Sequence, residues 1–162
     1  MTLGRCGGRA ARGERGAVAG AEGVAFGVLV LLAGAILLVN AWAVIDTRTA
    51  LDSAAREYLR AYTEADTPEQ AAAAGDRAVH LVLEGRHTLS VALTVDAPPA
   101  DRFGPCAPAA VTLSVTVPAI RMPFVDGFGE QRVSVRHAEL IDAHREITPG
   151  EAYDPEATAC AN

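Results

Sequence analysis

Lysine is absent from this chain of 162 residues; all 14 basic residues are arginine. Together with abundant Ala and Gly, that matches a GC-rich codon usage and says nothing about function. Aromatic residues make up only 5% of the chain, so a core outside the longest apolar run must rest on Val, Leu and Ala. There are three cysteines, Cys6, Cys106 and Cys160, none at metal-ligand spacing from another or from a histidine, which argues against zinc. The histidines, His80, His87, His137 and His144, form no pair at i, i+4 spacing, and no HExxH motif occurs. His80 reads as an ordinary surface or structural histidine. Ser53, Ser90, Ser114 and Ser134 lack the glycine context of a nucleophile elbow. No phosphate-binding or dinucleotide fingerprint is present, because the N-terminal glycines do not lie between a strand and a helix. The carboxylates are scattered, without a pair placed for acid/base work. The expectation is a protein without catalytic residues, cofactor, metal or small-molecule substrate.

What is present is one long uncharged run. Val24 to Ile45, VAFGVLVLLAGAILLVNAWAVI, holds 22 residues and a single strongly polar side chain, Asn40. As a helix it would be ~33 Å long, enough for a hydrocarbon core of ~30 Å. A lone span must be helical, since a bilayer offers free backbone groups no partners. Trp42 lies near the outer end, where an indole suits the headgroup level. So short a chain has little protein with which to bury such a helix, and a membrane span is expected. Ala41 and Ala43 form an A-x-A pattern that would place signal-peptide cleavage after Ala43, but the apolar run exceeds the ~7–15 residues usual for such peptides.

Charge is divided unevenly around the run. Residues 1–16 carry four arginines against Glu14, whereas from Asp46 onward 10 arginines face 18 acidic residues. Basic residues at one end of a span hold that end in the cytoplasm, so the C-terminal portion is expected outside. An acidic outer portion gives no support to nucleic-acid binding. Cys106 and Cys160 both fall on the outer side, where an oxidising compartment permits one disulfide between them. Residues 1–20 read as a basic disordered arm or leader.

The helix is expected to continue past Ile45, spanning about 21–65 in all. Ala50, Leu51, Ala54, Ala55, Tyr58, Leu59 and Tyr62 recur on one face. Asp52 with Arg56 and Arg60 with Glu64 sit four apart, worth ~0.2–0.5 kcal/mol each. Thr67, Pro68 and Gln70 read as cap, first-turn proline and capping-box partner of a second helix. That helix should run to about Glu84, with Ala71, Ala74, Ala78, Val79, Leu81, Val82 and Leu83 as its apolar set and Gly85 as its stop.

Three strands are expected after it. Leu89–Asp96 and Val111–Val117 alternate cleanly, as half-buried strands do. The third, Gln131–Asp142, alternates through Val133 and Val135 and then shifts phase, which suggests a bulge near His137. The connections APPADRFGPCAP and PAIRMPFVDGFG read as loops from their Pro and Gly content, and the acidic residues 148–162 as a flexible tail. The fold class is α+β: a long N-terminal transmembrane helix continuing outside, then over 66–147 a second helix and a small three-stranded antiparallel sheet.

The stretches ERGAVAGAEGVAFGVLV and NAWAVIDTRTALDSAAREYLRAY resemble the N-terminal half of TadE-like proteins of bacterial tight-adherence pilus systems, especially actinobacterial ones, over about residues 14–62. The likeness is loose over the strands. The resemblance implies a pilin-like architecture and a role as a minor pilin or assembly component in the cytoplasmic membrane. It makes Gly16 the cleavage glycine, Ala17 the new N-terminus and Glu22 the assembly carboxylate, which a neighbouring subunit's amino group would neutralise. Cleavage after Gly16 makes Glu22 sixth in the mature chain, one place later than the family's usual spacing. Gly23 and Gly27, in a GxxxG arrangement, with Ala33 and Gly34, would permit close helix approach. Partners would be like subunits or pilus and secretion-apparatus proteins. The alternative is a signal-anchored outer domain that binds an envelope partner without entering a filament; a third reading is an envelope enzyme subunit.

Overall fold

The computed structural model describes residues 15–86, 89, 92–122 and 125–161, so the basic arm before Arg15 and His87 lie outside the described residues. Two units are distinguished, Met1–Val39 and Asn40–Asn162. In the first, the described chain is entirely helical, part of α1 (Arg15–Thr63), which starts before the expected Ala21 and is unbroken by proline.

The second unit begins with the rest of α1 and continues through α2 (Pro68–Val82), β1 (Leu93–Asp96), β2 (Pro108–Met122) and β3 (Val125–Leu140). The strands form one antiparallel sheet in the order β1-β2-β3, so the class is α+β. The α1 stripe is buried as its spacing predicts, with Leu51, Ala54, Ala55, Tyr58, Leu59 and Tyr62 out of solvent. Each large side chain so buried contributes about 1.5–3 kcal/mol of transfer free energy. Val111, Leu113 and Val115 of β2 and Val133 of β3 join the same core, with Ile141 beyond the end of β3. Tyr62 bridges the aromatic part of it, stacked on Tyr58 (centroids 6.0 Å) and edge-on to Phe103 (5.5 Å).

Thr67 caps α2, its side chain accepting the Gln70 amide. The helix ends two residues before the expected Glu84, and Gly85, at φ +85°, takes the left-handed conformation that a side chain disfavours. Its apolar face differs from the expected set. Leu81 is 70% exposed, while Gly75 is buried beneath the Tyr58 ring, where a Cβ would approach Cε2 to 2.6 Å. The missing side chain at Gly75 is what lets α2 lie against α1's tyrosine.

The sheet corrects several boundaries. The first strand is only Leu93–Asp96, and Ser90 and Val91 of its expected start lie outside the described residues. The stretch PAIRMPFVDGFG is not a loop: β2 and β3 run on through it as a hairpin, with Pro118 opposite Glu130 and Ile120 opposite Phe128, and only Pro123 and Phe124 fall outside the described residues. Among the described residues β1 pairs with β2 only from Thr112 to Val115, and a proline further along β2 is tolerated where no neighbour needs its missing N–H. There is no bulge at His137, which pairs regularly with Val111; the irregularity lies between Ile120 and Met122. Nor is the tail loose. Thr148 N donates to Asp66 O, Gly150 N to Phe103 O, Ala152 N to Asp101 O and Tyr153 Oη to Pro105 O.

Candidate span and exit cleft

Val24, Phe26, Leu29, Leu31, Leu37 and Leu38 are all exposed on α1, together with Trp42 and Ile45. The helix contains one stretch long and apolar enough to cross a membrane, near the N-terminus. A surface apolar on every side is costly in water and suited to hydrocarbon. Gly16 and Ala17 lie in the first turn of this helix. Glu22 is exposed and makes no ion pair among the described residues, and nothing lies within 4 Å of a Cβ built at Gly23, Gly27 or Gly34. These positions share one helix, and the described chain gathers no second element around them.

Past Ile45 the polar side chains begin in a form that keeps the helix intact. Thr47 Oγ1 donates to Ala43 O (2.8 Å), Thr49 Oγ1 to Ile45 O (2.9 Å) and Ser53 Oγ to Thr49 O (3.1 Å), each one turn back. Beside them Arg86, just after α2, grips Asp46 with two nitrogens at 2.7 and 3.3 Å. Ala43, Val44, Asp46, Thr47, Arg86 and Val117 line a cleft of about 280 Å³ at this point.

Six residues further along α1, Asp52 accepts the ring N–H of His137 (2.6 Å) and pairs with Arg56 (2.8 Å). The His137 hydrogen bond, with the Arg56 charge assisting, holds the Asp52 carboxyl below its ordinary range against the opposing effect of burial. Among the described residues no group of three or more His, Cys, Asp and Glu side chains is placed to hold a metal.

At the other end of the sheet Cys106 and Cys160 are joined, with Cα atoms 5.5 Å apart. Near them Tyr62, Asp96, Arg102, Phe103, Arg136 and Ile141 line a groove of about 300 Å³. Neither arginine has an ion-pair partner among the described residues.

Two long-range side-chain pairs of α1, Asp46 with Arg86 and Asp52 with His137, are not foreseen from the sequence. Nothing in the sequence marks Arg86. For His137 a signal existed: it has the parity of Val133 and Val135 and so belongs to the same sheet face.

Comparison of the chain with protein-family models, with curated proteins and with solved structures finds no match.

Proposed function

We propose that the chain is a single-pass protein of the cytoplasmic membrane, N-terminus inside, that serves as a TadE-like minor pilin or assembly component and catalyses no reaction. The observation that carries this reading is the unbroken course of α1, from an apolar run exposed all round to a stripe buried under the sheet. A chain built this way holds its domain at the bilayer surface and, once released from lipid, has a helix ready to pack with like helices. The resemblance over residues 14–62 adds Glu22 at the head of the apolar run, where a partner's amine would neutralise it.

The groove flanked by Arg102 and Arg136 favours a second reading, an anchored domain that holds an acidic envelope partner outside any filament. Intact mass and N-terminal sequencing of the protein from its own membranes test the assignment. A start at Ala17 supports prepilin-type processing and a pilin role. A start at Met1 points to a permanent anchor, and a start at Val44 to a released domain, which would overturn the membrane reading.

A further inference from the structure

β1 and β3 are the two edges of the sheet, and each runs antiparallel to β2, so they run parallel to one another. Their levels are tied through β2. Leu93 and Val133 both lie opposite Val115, Thr94 and Ser134 opposite Ser114, Val95 and Val135 opposite Leu113, and Asp96 and Arg136 opposite Thr112. Over these residues the odd-numbered positions face the core and the even-numbered ones face out. The core-facing row of each edge is apolar and incompletely covered: Leu93 and Val95 on β1 and Val135 on β3 are half-buried, beside the buried Val133. The outward row carries a hydroxyl on each edge, Thr94 and Ser134, then an acid on β1, Asp96, and a base on β3, Arg136, all four exposed. Among the described residues neither Asp96 nor Arg136 has an ion-pair partner, and neither edge pairs with a further strand.

The two edges are thus complementary to each other at the same level. A second copy set beside the first, the same way up, brings its β1 against β3. In that register Val133 meets Leu93, Ser134 meets Thr94, Val135 meets Val95 and Arg136 meets Asp96. A slip of one residue sets core-facing positions against outward ones, and a slip of two parts the arginine from the aspartate. We infer that copies of this chain associate edge to edge in this register, the sheet of one continuing into the sheet of the next. The Arg136–Asp96 pair fixes the alignment, and the backbone groups that edge strands leave unpaired supply the hydrogen bonds. Because unlike edges meet, the contact is heterologous, and a joined pair keeps a free β1 at one side and a free β3 at the other for further copies. The contact involves residues 93–96 and 133–136 alone and does not depend on where α1 resides.

The test is disulfide trapping of the full chain in its own membranes. Two versions carry Cys6→Ser, which removes the thiol outside the Cys106–Cys160 bond; one also has Ser134→Cys, the other Thr94→Cys, each with a different affinity tag. Co-expressed and mildly oxidised, they should give a mixed dimer, since neighbouring strands lie about 4.8 Å apart. Within one chain positions 94 and 134 are two strands apart, ~9.6 Å, beyond the ~7 Å that a disulfide bridges. Arg136→Glu in both versions should abolish the mixed dimer, and Arg136→Glu combined with Asp96→Arg should restore it. A dimer linked 134 to 134 without the mixed one overturns the inference, showing two β3 strands paired with each other. Absence of any dimer through these positions overturns it as well, as does a mixed dimer that Arg136→Glu leaves unchanged. If the protein is found outside the membrane fraction, the membrane reading fails, and trapping in the soluble fraction still decides the contact.

Discussion

His137 and Asp52, 85 residues apart, are joined at 2.6 Å and tie the last strand of the sheet to the helix that carries the long apolar run. Because Asp52 ionises more readily in the folded chain, its contribution to stability is fully present above the unfolded carboxyl value of about 4 and is lost as pH falls through the lowered folded value. Asp52→Asn is therefore expected to be less stable than the native chain at neutral pH, with the gap closing in strong acid. Thermal unfolding of both proteins between pH 7 and pH 2 checks this; a gap independent of pH would contradict it.

Tyr58 is fully buried, yet among the described residues its hydroxyl has no hydrogen-bond partner. Tyr58→Phe should accordingly be neutral or stabilising, by up to ~1–3 kcal/mol, since it removes a buried polar group without opening a large cavity. Gly75→Ala should cost about 1–3 kcal/mol, because its methyl meets the Tyr58 ring. Denaturant midpoints of the two variants decide both.

Burial pushes Tyr58 and Tyr62 up to about 12, with Asp76 and the neighbouring tyrosine adding for Tyr58 and Asp101 for Tyr62. The folded state thus resists ionising them, and stability should decline as pH rises above the ordinary value near 10. In a spectrophotometric titration the tyrosinate signal of these two residues should rise together with loss of the near-ultraviolet dichroism of the fold.

The Cys106–Cys160 bond closes a separation of 54 residues, for which the chain-entropy estimate is about 4 kcal/mol. Replacing both cysteines by serine should lower the unfolding free energy by up to that amount and loosen residues 148–161 first. Hydrogen exchange at Gly150 and Ala152, whose amides donate to Phe103 and Asp101, reads the second effect.

Glu22→Ala should leave membrane insertion intact and reduce co-isolation with pilus components. Unchanged co-isolation would remove the assembly role assigned to that carboxylate.

The parts of the fold that were legible are those where a periodic pattern and a buried face coincide. The α1 stripe could be read residue by residue because 3.6-residue spacing has one solution over four turns. The hairpin could not. Pro118, Gly127 and Gly129 argue for a loop, and a proline is compatible with a strand there because, among the described residues, β1 pairs no further than Val115. The phase shift in β3 rests on Ala138, Leu140 and Ile141; the first two face outward and Ile141 is buried just past the strand's end, while the inward position at 137 holds a histidine, polar because Asp52 lies beneath it. Leu81, expected on the apolar face of α2, is exposed, and Gly75 goes unread in the sequence because hydropathy cannot register a glycine buried for its lack of bulk. The cleft beside Asp46 and Arg86 is invisible in the sequence because a bidentate pair 40 residues apart leaves no local trace.

The clasp between Cys106 and Cys160 also sets the direction in which the polypeptide departs. Ala159 N donates to Cys106 O, so the chain leaves the domain at the end where β2 begins, beside Phe103 and Tyr62, while Val117 and the Arg86–Asp46 pair mark the opposite end. Anything joined after Cys160 starts its path at the pole remote from Asp46. An affinity handle or fluorescent reporter placed there would stand clear of the Arg86–Asp46 pair and the cleft beside it, and would be the attachment least liable to disturb that end of the domain.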